Sequence, residues 1–275
     1  MPTPFLVQNA AGSHPIVASL PHSGLRLTDE MRQQLRPNYQ SFLPHQDWHL
    51  THLYDFLTSL GITTLQACYS RYVVDLNRAL TKPYFGDFWR SPIAAKTAYG
   101  KQLYQHRPSE QQICDRIEQY YQPYHTQLKA LLDEKIQQFG KVFLLDLHSF
   151  HGPITDDICL GNVNGRSCSE RFTSIIESAF HEKGYQVVRN KVFNGGHITR
   201  HYGQSSQIET LQIEVRYPVY LDSQQLDLPA IPDWQVPHFY IAKQRFQDIF
   251  KQITQSLRAQ TNNMGNLSQK TDINI

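Results

Sequence analysis

The sequence predicts an α/β fold, a largely parallel sheet flanked by helices on both faces, and three observations lead there. Segments with apolar residues at three- and four-residue steps alternate with short apolar runs. The run Val142-Phe143-Leu144-Leu145 is uninterrupted, as in a strand buried on both faces. Several runs deliver polar residues immediately after them, at the strand ends where open α/β sheets build their sites.

In chain order, Pro15 to Leu20 reads as a buried strand that feeds the loop Pro21-His22-Ser23-Gly24. From Asp47 to Leu60, Leu50, Leu53, Tyr54, Leu57 and Leu60 recur at helical spacing, with Asp47 opening the helix and Gly61 closing it. Strands are expected over Thr63 to Gln66 and over Arg71 to Leu76, the second ending in Asp75-Leu76-Asn77-Arg78. Residues 79–107, rich in aromatics, Gly and Pro, read as a long ordered loop of the kind that often carries function. Ser109 caps a helix running through Ile113, Ile117, Tyr121, Tyr124, Leu128, Leu131 and Ile136, kinked at Pro123 and stopped at Gly140. The strand at Val142 terminates in Asp146-Leu147-His148-Ser149. A helix over Cys168 to Lys183, a strand over Tyr185 to Val188, a turn at Gly195-Gly196 and a strand over Thr210 to Tyr217 follow. The last helix spans His238 to Arg258. One domain over residues 1–259 is expected, with a polar, frayed tail over 260–275.

Composition narrows the function. Lys plus Arg number 26 and Asp plus Glu 24, interspersed along the chain, so neither a nucleic-acid nor a membrane surface is indicated. Cys68, Cys114, Cys159 and Cys168 contain no CxxC pair and are too few for a disulfide scaffold, which fits a reducing compartment. Met1 to Ala11 lacks the pattern of a secretory signal, and no run reaches the ~20 apolar residues of a membrane span. A cytoplasmic location is therefore expected.

A catalytic zinc takes three protein ligands and keeps a fourth position for water. His22 and His148, at separate strand ends, would converge on such an ion, with Asp47 as the third ligand; the competing account makes each histidine structural and Asp47 a helix cap. His45, His49 and His52 form a rival set on one helix face, which the apolar positions of that helix turn toward water. Glu214 lies in mid-strand, where a carboxylate is costly unless partnered. It either pairs with Arg216 or serves a zinc-bound water as general base and proton donor. Arg71, Asn77 and Arg78 cluster near one strand end and suit an acidic substrate, although Arg78 would equally form a salt bridge to Asp75 or Asp47. Arg200 lies in the Gly-rich stretch Gly195 to Gly203, either a substrate-contacting loop or a plain connection.

Pro21-His22-Ser23-Gly24, Asp47-Trp48, the block Tyr69 to Arg78, Asp146-Leu147-His148-Ser149 and Gly195-Gly196-His197-Ile198-Thr199-Arg200 occur in one order. In this the chain resembles the N-formylglutamate amidohydrolases from about Ile16 to Asp222, most specifically over Arg71 to Arg78. That family is distantly similar to zinc carboxypeptidases and aspartoacylase, which implies their mixed twisted sheet, phosphorylase/hydrolase-like. The resemblance implies that Asn77 and Arg78 bind a carboxylate, that Arg71 polarises the scissile carbonyl and that Glu214 is the catalytic glutamate. The relatives' His-x-x-Glu ligand pair is not matched, since Leu25 stands three beyond His22. His197 replaces an aromatic residue usual in the family, and Glu214-Val215-Arg216-Tyr217-Pro218 departs in wording. The expectation is one Zn2+ per chain on His22, Asp47 and His148, with a small N-acyl acidic amino acid such as N-formyl-L-glutamate as substrate, held by Arg78, Asn77 and Arg200. A carboxypeptidase- or amidase-like hydrolase of a small peptide or cell-wall fragment, and a metal-free binding protein for an acidic metabolite, are the alternatives. A longer groove would mark the first.

Overall fold

The structure, a computed structural model, describes residues 3–152 and 154–271, with side chains through Arg258. Nine strands are described: β1 (Phe5–Gln8), β2 (Ile16–Leu20), β3 (Thr63–Ala67), β4 (Phe85–Gly86), β5 (Ile93–Ala94), β6 (Val142–Phe150), β7 (Ile158–Gly161), β8 (Val187–Arg189) and β9 (Ile208–Arg216). The helices are α1 (Asp29–Gln34), α2 (Leu50–Leu53), α3 (Glu110–Arg116), α4 (Gln122–Phe139), α5 (Glu170–His181), α6 (His197–Tyr202) and α7 (Pro237–Thr271). Seven strands form one sheet in the order β1-β3-β2-β6-β9-β7-β8, while β4 and β5 pair separately. Its centre, β3-β2-β6-β9, is parallel; β1 and β7 join antiparallel to β3 and β9. The sheet is mixed and largely parallel, as expected.

Pleating divides the sheet between two cores. On β6, Phe143, Leu145 and Leu147 pack with α5 and α7, whereas Val142 and Leu144 pack with α3, α4 and α6. The second face changes character along the strand: after Val142 and Leu144 come Asp146 and His148, and on β9 Thr210 is followed by Gln212 and Glu214. A slip of one residue would exchange Leu147 for these polar groups, so the core fixes the site's register.

Three expectations need correction. The segment Asp47 to Leu60 is not one helix: α2 is a single turn, and a 3-10 stretch covers Asp55–Leu60. Leu53, Tyr54, Phe56 and Leu57 are all buried in the core this segment packs against. Burying a large side chain is worth ~1.5–3 kcal/mol, well above the differences in helix propensity it overrides. Residues 71–76 form turns rather than a strand, with Val73 N–H donating to Ser70 O and Asp75 N–H to Pro92 O. The apolar run there is buried by loops packed around it. The Val142 strand does not end at Leu145 but runs to Phe150, so His148 is inside it.

The chain's periodicity did not reveal the short strands β1 and β7, both antiparallel. Between α3 and α4 the kink expected at Pro123 takes the form of a π-helical turn over Ile117–Tyr121. Helical backbone continues through α7 to Thr271, past the point where fraying was expected, and residues 272–275 lie outside the described residues. Among the described residues no helix is long and apolar enough to cross a membrane, and all four cysteines are free.

Candidate metal centre

Three chain segments meet over the carboxyl ends of β2, β6 and β9. His22 lies two residues beyond β2, in a turn packed so closely that a Cβ at Gly24 would sit 2.4 Å from Cys68 C and Tyr69 N. Asp47 lies on the segment between Gln46 and Trp48. Tyr217 Oη donates to Gln46 O at 2.5 Å, Tyr220 Oη to Trp48 O at 2.9 Å, and Ser149 N–H to Asp47 Oδ2 at 2.9 Å. His148 is on β6, opposite Glu214 of β9.

His22, Asp47 and His148 are 2%, 1% and 2% exposed, and their ligand atoms all lie within 4.8 Å of one another. His22 Nδ1 is 3.1 Å from His148 Nδ1, and Asp47 faces both, Oδ1 at 3.5 Å from the first and Oδ2 at 3.1 Å from the second. Each imidazole turns its other nitrogen to a carboxylate: His22 Nε2 to Asp75 Oδ1 at 2.7 Å, His148 Nε2 to Asp146 Oδ1 at 3.0 Å. A carboxylate behind the ring fixes the proton on Nε2 and leaves the Nδ1 lone pair facing inward. With both rings neutral, two such lone pairs and a carboxylate oxygen would converge on one point, a donor set that fits a divalent metal.

Electrostatics says the same. Burial would raise the Asp47 carboxyl, but His22 and His148 hold it well below the usual range. Burial would likewise raise Asp75, and Arg71, Arg78 and His22 hold it low. Burial alone would lower the His148 imidazole, yet Asp146 and Asp47 lift it well above its ordinary value. The pocket draws positive charge to the point where the three ligands meet. Beside it, burial pushes Glu214 up to about 7, with Asp47 adding and His148 opposing. Glu214 is 6% exposed and accepts a hydrogen bond from Gln212 Nε2 at 2.5 Å. Arg216 donates instead to Ile154 O, so the mid-strand carboxylate has no arginine of its own strand.

A cavity of about 370 Å³ opens over this cluster, lined by His22, Asp47 and His148 together with Arg71, Asn77, Arg78, Arg200 and Glu214. Arg71 binds Asp75 Oδ2 at 2.6 Å, with its guanidinium over the Phe88 ring. Arg78 is anchored by Asn77 O at 3.1 Å, and its buried Nε has no partner. Asn77, expected beside Arg78 as a carboxylate donor, has its amide engaged: Nδ2 donates to Asp146 Oδ2 at 3.1 Å and Oδ1 accepts from Ile198 N–H at 2.8 Å. Gly196 leaves room for that amide, since a Cβ there would lie 2.4 Å from Asn77 Nδ2. Arg200 is exposed, its guanidinium on Gly195 O and Asn194 Oδ1. The rival histidines do not converge. His49 Nε2 donates to Pro232 O, His52 stacks on Trp234, and only His45 of the three lines the cavity.

The sequence model of the N-formylglutamate amidohydrolase family matches residues 14–221, a span that contains every residue of this cluster. The chain belongs to that family. N-formylglutamate deformylase of Pseudomonas putida is 37% identical over 226 residues, 77% of this chain and 83% of its own. The N-formylglutamate deformylase of Pseudomonas aeruginosa is 35% identical over 225 residues, 78% and 84% of the two chains. The crystal structure of N-formylglutamate amidohydrolase from Ralstonia eutropha JMP134 overlays with a TM-score of 0.76 at 24% identity, covering 94% of this chain and 99% of that one, which establishes the shared fold.

Within this member of the N-formylglutamate amidohydrolase family, sequence reasoning passed over the groups that hold the ligands. Asp146 shares a strand face with His148 at a spacing of two, a signal that was legible. Asp75 was read only as an ion-pair partner. Tyr217 and Tyr220, which pin the Asp47 segment from 171 and 172 residues away, left no local signal at all.

Proposed function

We propose that this hydrolase of the amide C–N bond is zinc-dependent and cleaves the N-formyl amide of N-formyl-L-glutamate. The observation that carries the reading is the meeting of His22 Nδ1, His148 Nδ1 and Asp47 within 4.8 Å in a cavity that also holds Glu214 and three arginines. A zinc ion held by those three residues supplies a Lewis acid and lowers the pKa of water toward ~7.

The chain's own groups account for the remaining steps. Glu214, buried and unpaired with Arg216, takes the proton from the attacking water and returns it to the leaving amine. Arg71, fixed through Asp75 and Phe88, presents its guanidinium to the carbonyl oxygen as negative charge develops there, an interaction worth ~3–4 kcal/mol for one well-placed donor. Arg78 and Arg200 receive the glutamate carboxylates, and the unpartnered Nε of Arg78 is a donor that substrate would satisfy. Asn77 acts one step back, holding Asp146 and the α6 loop, and meets substrate through the cavity wall that it shares with Gly196.

The deciding experiment measures metal content of the purified protein and hydrolysis of N-formyl-L-glutamate with and without a chelator. Near-stoichiometric zinc and chelator-sensitive release of glutamate are expected. Bound zinc without this activity overturns the substrate, and failure to bind zinc on reconstitution overturns the mechanism.

A further inference from the structure

A second cavity, about 480 Å³, adjoins the first and shares His45, His151 and Tyr217 with it. Arg78 and Arg200 line only the first. A substrate whose carboxylates lie on those arginines therefore has its other end free to reach the shared wall. The second cavity is lined by Tyr39, Phe42, Trp48, Tyr99, Leu226 and Leu228, with Phe42 stacked on Trp48 at 5.7 Å between centroids. Lys101 and Asp227 also line it and are exposed, while the aromatic and aliphatic side of the wall suits a planar aromatic group.

The segment that delivers Asp47 to the metal centre also builds this wall, since His45 and Trp48 flank Asp47 and both face the second cavity. His45 adopts φ of 54°, in the left-handed region, which is costly for a residue with a Cβ and concentrates at functional positions. Its Nε2 is buried without a hydrogen-bond partner. At the openings, Trp89 and Val192 are exposed beside Arg200 at the first cavity, and Tyr99 and Leu228 beside Lys101 and Asp227 at the second.

We propose that the second cavity is an acyl-group subsite of the same active centre and that it admits an aromatic acyl group, so that N-aroyl derivatives of acidic amino acids are substrates. This rests on the amidohydrolase reading above but not on the formyl group. In the step, the oxygen of water bonds to the acyl carbon, the C–N bond breaks and the amine nitrogen takes the proton, giving an aromatic carboxylate and the free amino acid. A formyl group occupies the first cavity alone.

The test compares N-benzoyl-L-glutamate with N-formyl-L-glutamate, by calorimetric binding to the zinc-loaded Glu214→Gln protein and by turnover of the unaltered enzyme. Benzoyl binding at least tenfold tighter than formyl is expected, together with benzoyl hydrolysis. Ala230→Trp, at a residue that lines the second cavity and not the first, should remove that tenfold preference and leave formyl turnover unchanged. If that variant does not fold, Leu228→Asp puts a carboxylate at the exposed rim and should weaken benzoyl binding at least tenfold. Formyl bound and cleaved with benzoyl refused, or a benzoyl preference that survives in the folded cavity variant, overturns the subsite and leaves the proposed function standing. Benzoyl cleaved with formyl refused does the reverse. Refusal of both overturns both.

Discussion

Glu214 combines a deeply buried carboxyl with a proton affinity near neutrality, the condition under which one group can accept a proton and then return it. Glu214→Gln keeps size and the contact to Gln212 but removes the base, so kcat should fall by ~10²–10⁴-fold. Zinc content, measured on the same preparation, should not change; unchanged turnover would remove Glu214 from the reaction. Asp75 works differently, through its neighbours. One oxygen accepts from His22 Nε2 and from Asn77 N–H, the other from Arg71, so a single carboxylate aims a candidate metal ligand and an arginine at the same cavity. Asp75→Asn should weaken zinc binding by ~10–100-fold, the usual cost of losing the carboxylate behind a ligating histidine. Competition with a chromophoric chelator reads this directly, and unaltered affinity would mean that packing alone orients His22.

Elements place these residues through close approach of backbone. The turn between Gly195 and α6 must come within contact of the Asn77 amide, and Gly196→Ala would drive a Cβ to 2.4 Å from it. That variant should lose ~1–3 kcal/mol of stability, the range for overpacking, and most of its activity, by urea unfolding and turnover respectively. Helix α4 braces the same region from behind: His125 Nε2 donates to Leu76 O at 2.9 Å, just before Asn77, and Nδ1 accepts from Tyr202 Oη of α6. Burial pushes the His125 imidazole down to about 4. Below the ordinary value of 6.5 the unfolded chain takes a proton that the folded chain refuses, so stability is full above pH 6.5 and declines toward pH 4. The urea midpoint should therefore fall between pH 6.5 and 4, less steeply in His125→Gln; equal slopes would assign the acid sensitivity elsewhere. Much at this scale was legible beforehand. The runs beginning at Ile16 and Val142 became central strands because a doubly buried strand is largely apolar, and the strand expected at Thr63 pairs beside the first of them. The stretch from Arg71 to Leu76 looked the same and is not a strand, because burial by surrounding loops selects the same residues as burial in a sheet. Asp47 was legible as a polar group ahead of apolar residues, but its geometry is dictated by Tyr217 and Tyr220, whose contact to it no local pattern encodes.

Across the whole molecule, the parallel centre of the sheet brings its carboxyl ends to one side, and the two cavities open there, over the same Asp47 segment. The family resemblance read from short blocks anticipated the first cavity. It was silent about the second, whose lining comes from residues 38–48, 97–101 and 225–232 with His151 and Tyr217, outside all but one of those blocks. The ligand trio has one more consequence, and it concerns time rather than energy. His148 lies 126 residues from His22 and 101 from Asp47, so the three meet only after β2 and β6 have paired across long stretches of chain. Contacts of such sequence separation form late and slowly. An ion bound by this trio would therefore come too late to nucleate the fold and would latch a finished one: added zinc should leave the refolding rate unchanged and slow unfolding in denaturant, and stopped-flow traces with and without the ion would separate those limbs.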